Sequence, residues 1–255
     1  MEWKAAAYSQ NTVFYIDKKD QIKNYWTKRS HDFAKLRWRE LDSPMAGLWL
    51  NEISGRLPKR ESLRILDVGT GSGFFAFLLS DLGHKVTGID LTPSMIENAK
   101  IMAESLGSTA YFRVMDAEQL LFADESFDAI ITRNLTWTLP HPQNAYREWY
   151  RVLKEGGVLL NFDGNYGQED FTKDETELPE NHAHKSMANE LSMECERIKN
   201  QLEISYHVRP AWDAEILGGV GFEKIELDLG VSKRIYKEVN EFYNPTPLFM
   251  IKAVK

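Results

Sequence analysis

The stretch RILDVGTGSGFFAFLLS, Arg64 to Ser80, decides how the chain is read. An apolar run ends at Asp67-Val68, alternate glycines follow at Gly69, Gly71 and Gly73, and a second apolar run opens at Phe74. Glycine in a helix interior costs about 1 kcal/mol relative to alanine, so such clustering needs a cause. A buried strand, a tight loop and a helix supply one. Amides at the helix N-terminus point at a ligand, and the missing side chains let the backbone approach it. The spacing is G-x-G-x-G, not the G-x-G-x-x-G of dinucleotide sites. A purely structural glycine turn is the plain alternative.

Outward from this unit, strands and helices alternate. Strands are expected at 63–68, 85–89, 110–115, 127–132, 157–162, 223–229 and 248–253, with helices at 74–82, 93–106, 143–153 and 211–220. Alternation with short links implies a doubly wound α/β fold, a seven-stranded, mostly parallel sheet covered on both faces. No helix is expected between the last two strands, so they form a hairpin and an antiparallel edge strand. Before Leu63 the chain reads as helical, with Ile22, Trp26, Phe33, Leu36 and Leu41 near helical spacing and a second helix entered at Ser43-Pro44. Residues 1–62 are expected to form an N-terminal helical cap and 63–255 the main domain. The alternation breaks between Asp163 and Pro210. An insertion that long is more often functional than a plain connection, and about 164–209 is read as a lid.

The chain has 255 residues, 43% hydrophobic and 27% charged, enough to bury a core without disulfides or metal. The single cysteine, Cys195, excludes an internal disulfide and suits a reducing compartment. MEWKAAAYSQ lacks a signal-peptide core, and no apolar run is long enough to span a bilayer. The expectation is a cytoplasmic monomer or homodimer without a membrane partner. A net charge of −7 argues against nucleic acid as a partner. The basic stretch TKRSHDFAKLRWRE also holds Asp32 and Glu40 and reads as a solvated helix face.

Polar residues recur where strands end. KVTGID ends in Asp90, whose carboxylate suits two ribose hydroxyls; a helix-start charge is the alternative. YFRVMDAEQL places Asp116, Ala117 and Glu118 after the third strand, where an acid accepts from an exocyclic amine or caps a helix. FDAIITRNLTWTL places Asn134, Leu135, Thr136 and Trp137 after the fourth; for Trp137 a core position is the alternative. All lie on the rim where open α/β sheets bind ligands.

With these residues in view the chain resembles the class I S-adenosylmethionine-dependent methyltransferases, in their small-molecule, type 11-like branch. ILDVGTGSG is similar to their first motif, GIDLTPSMIENAK to their ribose turn, and VMDAEQLLFADESFDAIITRNLTWTL with YREWYRVLKEGGVLLNFD to the strands and helix that follow. The resemblance is strong over Leu63–Asp163 and weak over the last two strands. It implies a Rossmann-like fold with S-adenosyl-L-methionine as cofactor and S-adenosyl-L-homocysteine as product. By the same resemblance Asp67 and the loop of Gly69, Thr70, Gly71 and Gly73 hold the methionine end. Asp90 binds the ribose, with Leu91 and Met95 near the adenine. Asp116 accepts from the adenine amine beside Ala117, with Glu118 either helping or opening a helix. Asn134 and Leu135 line the methionine portion. KNYWTKRSHDF resembles the family's closing helix, in which Tyr25 covers the site and Arg29 reaches the methionine carboxylate; core and surface roles are the alternatives.

Methyl transfer from a sulfonium needs positioning and water exclusion more than covalent help from the protein. The expected acceptor is a small molecule, in contact with Trp137, the N-terminal helices and the lid. His207, with Arg209 and Tyr206, is the candidate for acceptor chemistry, a structural ion pair being the alternative for Arg209. His182 and His184 read as exposed lid residues, Cys195 as inert packing, and no metal is expected. The aromatic content permits a hydrophobic or cationic acceptor pocket. The competing readings are a nucleic-acid or protein methyltransferase, a nicotinamide-dependent dehydrogenase, and a protein that holds the cofactor without turnover. NLTWTL differs from the Asn-Pro-Pro-Tyr type of amino-directed nucleic-acid enzymes, and the glycine spacing opposes the dehydrogenase.

Overall fold

The computed structural model describes residues 17–172, 178–182, 185, 187 and 189–255. Two helices come first, α1 (Lys18–Leu41) and α2 (Pro44–Ser54). Asp17 caps α1 by accepting from the Lys19 amide at 2.9 Å. Ser43 caps α2 on the Met45 amide at 3.2 Å, with Pro44 in the first turn, where its missing N–H costs nothing. The alternating part follows as β1 (Arg64–Val68), α3 (Phe74–Asp81), β2 (Lys85–Asp90), α4 (Pro93–Leu106), β3 (Tyr111–Val114) and β4 (Phe127–Arg133). It continues as α5 (Pro142–Val152), β5 (Leu153–Gly164), α6 (Asn189–Lys199), α7 (Ala211–Val220), β6 (Glu223–Asp228), α8 (Val231–Ile235) and β7 (Leu248–Val254).

The seven strands form one sheet in the order β3-β2-β1-β4-β5-β7-β6. β1 to β5 are parallel, and β7 is antiparallel to both β5 and β6. The expected hairpin of the last two strands is present. The antiparallel strand lies one place in from the edge, and the short helix α8 occupies a link read as helix-free. Burial explains that order. β7 carries Leu248, Phe249, Met250 and Ile251, all buried, whereas β6 is largely exposed and rich in Glu, Lys and Asp. A charged strand tolerates the edge and a strand apolar on both faces does not.

One apolar layer, centred on Trp49, Phe75 and Phe162, joins α2, α3 and α4 to one face of the sheet. The other, centred on Tyr146, Trp149 and Leu217, joins α5 and α7 to the opposite face. Register aligns the strand ends that matter. Val68 lies opposite Ile89 in β2 and Thr132 in β4, and Asp90 lies opposite Val114 in β3. The carboxyl ends of β1 to β4 therefore open on one rim, at the point where the strand order reverses. α1 crosses that rim, packed against α3, α4 and α6. No helix among the described residues is long and apolar enough to cross a membrane.

Candidate active site

β1 delivers Asp67 and then the glycine loop. The three glycines adopt φ of 68°, 55° and 93°. A Cβ on Gly69 would lie 2.8 Å from Leu135 Cδ1, and one on Gly71 would lie 2.9 Å from Phe33 Cε1. Left-handed backbone and close approach together account for the cluster. Asp67 Oδ2 accepts from Thr70 Oγ1 at 2.6 Å and from the Ala76 amide at 3.1 Å. Burial pushes the Asp67 carboxyl up to about 7; those two hydrogen bonds hold it back, and the charge of Asp90 raises it further.

β2 delivers Asp90, whose Oδ2 accepts from the Gly71 amide at 3.0 Å and Oδ1 from the Thr92 amide at 2.8 Å. Burial raises its carboxyl above the usual range. β3 leads to Asp116, whose Oδ1 accepts from the Glu118 amide at 2.8 Å, while Lys19 of α1 sits 2.6 Å from Oδ2. β4 leads to Asn134, held at φ 55°. Its Oδ1 accepts from the Tyr166 hydroxyl at 3.0 Å, and that hydroxyl accepts from Asn244 Nδ2 at 2.6 Å.

These residues border a cavity of about 880 Å³ under α1. Asp67, Gly69, Thr70, Gly71, Asp90, Leu91, Met95, Asp116, Ala117, Asn134 and Leu135 all line it, as do Tyr25 and Arg29 from α1 and Trp137. Trp137 donates through Nε1 to the Asn134 carbonyl at 3.0 Å and packs on Tyr166, with ring centroids 4.9 Å apart. Arg29 Nη1 lies against Met187 Sδ, and 3.4 Å from the Tyr25 hydroxyl.

Other expected residues lie elsewhere. Gly73 turns the chain into α3 behind the lining. Glu118 is not part of the lining; it accepts from the His141 amide at 2.7 Å and pairs with Lys19, which is, at 2.6 Å. Arg209 is not an acceptor-site residue. It is 5% exposed, donates to both oxygens of Asp213 at 2.8 and 2.9 Å, and lies 3.3 Å from Asp163. The structural ion pair is the reading the geometry favours. His207 is also outside the cavity, stacked on Trp212 at 4.5 Å, and Tyr206 is 73% exposed. His182, expected on an exposed lid, is 2% exposed with Nε2 2.8 Å from the Tyr243 carbonyl; the cavity's far wall encloses it. His184 lies outside the described residues. Cys195 is buried in the lining, its thiol pushed up to about 11 by burial.

The basic stretch of α1 is not a solvated face throughout. Arg37 lines the cavity, and Glu40 is wholly buried. Sequence reasoning also missed Lys19, Arg133, Tyr166, Phe171 and the loop that brings Tyr236, Tyr243 and Asn244 to the far wall. The aromatic run YKEVNEFYN in that loop was the available signal.

Residues 66–161 match a methyltransferase domain family. The match runs from β1 into β5 and contains the glycine loop, Asp67, Asp90, Asp116 and Asn134. Residues 66–161 belong to the class I S-adenosylmethionine-dependent methyltransferases. A ubiquinone biosynthesis O-methyltransferase of Cereibacter sphaeroides is 31% identical over 133 residues, 52% of this chain and 53% of that protein. The chain spans about half the length of the curated relatives it matches. A SAM-dependent methyltransferase from Aquifex aeolicus superposes with a TM-score of 0.55 at 20% identity, over 85% of this chain and 95% of that one. The [4+2]-cyclase SpnF superposes with a TM-score of 0.53 at 18% identity, over 81% of this chain and 79% of that one. At such identities the likeness is one of fold, and the fold hosts more than one chemistry. The family match covers the strand ends of the methyltransferase domain; α1 and the aromatic far wall lie outside it.

Proposed function

We propose that the chain transfers a methyl group from S-adenosylmethionine to a small-molecule acceptor by direct in-line displacement. One observation carries the reading: the ends of β1 to β4 open into a single covered cavity that continues past Asn134 into an aromatic lobe. The relative named as a ubiquinone biosynthesis O-methyltransferase supports an acceptor of small-molecule class. Residues 1–62 act in this reading as the cap, and about 164–209 as the lid.

The residues present fit the cofactor. A carboxylate offers about four acceptor positions. Asp90 uses two on the loop amides of Gly71 and Thr92, which leaves two for vicinal ribose hydroxyls. The bare Cα positions of Gly69 and Gly71 leave a groove that side chains would fill. Asp67, Asn134 and Leu135 would hold the methionine end, Asp90 the ribose, and Leu91, Met95, Asp116 and Ala117 the adenine, with Tyr25 and Arg29 closing over them. S-adenosylmethionine supplies the electrophilic methyl group when bound. The chain orients the acceptor and excludes water, work done by α1 above the rim and by Trp137, Tyr166 and Phe171 at the side. Burial, and then the charge of Asp163, raises the Tyr166 phenol well above its ordinary value, so it stays protonated and donates to Asn134.

Calorimetry with S-adenosylhomocysteine tests the cofactor assignment. Asp90→Ala is expected to weaken binding about ten- to hundredfold, the loss of hydrogen bonds to a charged group, with the fold intact. Equal affinity in the variant rejects the ribose role. A screen of small acceptors for S-adenosylhomocysteine release separates turnover from cofactor holding.

A further inference from the structure

The cavity has two chemically different ends. Lys19, on the first turn of α1, marks the end at Asp116. Arg37 lies on the same helix about 27 Å further along at 1.5 Å per residue, one turn beyond the contact of Phe33 with Gly71. Arg133, at the end of β4, lines the cavity there as well.

These two guanidinium groups share one carboxylate, and that carboxylate is full. Glu40 is 0% exposed. Its Oε1 accepts from Arg133 Nη1 at 3.2 Å and Trp49 Nε1 at 3.2 Å. Its Oε2 accepts from Arg133 Nη2 at 2.9 Å and from Arg37 Nη1. Two positive charges therefore face one negative charge; of the glutamates in the lining, Glu241 is engaged by Arg39 at 2.7 Å and Glu180 by Lys185 at 3.6 Å. Arg37 Nε is buried without a hydrogen-bond partner. Around the pair stand Phe33, Trp49, Phe74 and Phe75, with Arg133 stacked 4.7 Å from the Trp49 ring centre. An apolar surround strengthens any ion pair formed there and makes surplus charge costly. Tyr236 also lines the cavity, and its buried phenol lies close enough to Glu40 and Arg37 to feel both charges.

We infer that the far lobe is a carboxylate-binding subsite: Arg37, steadied by the Glu40–Arg133 pair, takes an anionic group of the methyl acceptor, with the Tyr236 hydroxyl as a second donor. This rests on the methyltransferase reading and narrows the acceptor to an aromatic or similarly flat molecule carrying a carboxylate. It replaces the cationic pocket that the aromatic content alone permits. Trp137, Tyr166 and Phe171 do not form a cation cage, because their centroids are only 4.9 to 6.1 Å apart and the rings pack on one another.

The test is calorimetry on protein saturated with S-adenosylhomocysteine, using a panel of small aromatic carboxylates paired with their primary amides. At least one carboxylate is expected to bind about tenfold or more tightly than its amide. Arg37→Gln should erase that preference, and Arg37→Lys should retain part of it. Glu40 keeps Arg133 as a bidentate partner in both variants, and unchanged S-adenosylhomocysteine affinity reports that they fold. Panel-wide equality of acid and amide in the wild type, with S-adenosylhomocysteine bound, overturns the subsite and leaves the methyltransferase reading standing. Arg37→Gln that weakens S-adenosylhomocysteine while the acid preference persists overturns it too, by assigning Arg37 to the methionine carboxylate. Failure of S-adenosylhomocysteine to bind the wild type removes the cofactor reading itself.

Discussion

Asp67 shows how one residue links stability to pH. Its folded carboxyl sits at about 7, whereas an unfolded aspartate titrates near ~3.9. The folded state thus keeps a proton that the unfolded state releases. The resulting stabilisation is complete below about pH 4 and is lost as pH rises towards 7. Urea midpoints are expected to fall between pH 5 and 7.5 in the wild type and to change less in Asp67→Asn; parallel slopes in the two proteins would reject the raised carboxyl. Gly71 is a second sensitive position. Alanine there must hold φ 55° and meet the Phe33 ring, so Gly71→Ala is expected to cost about 1 kcal/mol or more and to loosen S-adenosylhomocysteine. Denaturant titration and calorimetry check the two effects. The role of Gly71 was legible in sequence, because alternate glycines between an apolar strand and an apolar helix mark a tight loop with bare backbone. The role of Arg37 was not: a basic residue on a mixed-charge helix looks the same whether it faces water or a cavity.

Between elements, the buried ion network decides which expected residues serve structure. Arg209 joins the turn before α7 to Asp213 within it, to Asp163 of β5, and to Thr136 in the turn after β4 at 2.5 Å. Asp163 also accepts from the Trp137 amide at 3.0 Å. Removing Arg209 strands two buried carboxylates, so Arg209→Leu is expected to lose about 3 to 5 kcal/mol of stability. His207→Ala, which touches neither network nor cavity, should lose less than about 1 kcal/mol. Chemical denaturation of the two variants compares them directly; equal losses would contradict the assignment. A sequence shows that Arg209 and His207 are near each other along the chain. It does not show that the turn at Pro210 sends one inward to Asp163 and leaves the other stacked on Trp212.

At the scale of the molecule, α1 roofs a rim that the parallel sheet builds. Ligand bound beneath it should stabilise the whole fold, by about 2.7 kcal/mol at one hundred times its dissociation constant. Hydrogen exchange with S-adenosylhomocysteine present is expected to slow in α1 and at the ends of β1 to β4, with little change in α5 and α7 on the far face. Uniform slowing, or none in α1, would argue against the roof. The sequence by itself determined the rim proposed to hold the donor: strand alternation, the glycine loop and acids at successive strand ends are local patterns, and a parallel sheet carries each to the same edge. Only the tertiary structure brings together the residues proposed for the acceptor half. Arg37, Arg133, Tyr166 and Tyr236 come from four separate elements, and their shared cavity depends on how α1 and the loop before β7 pack, which no spacing along the chain encodes.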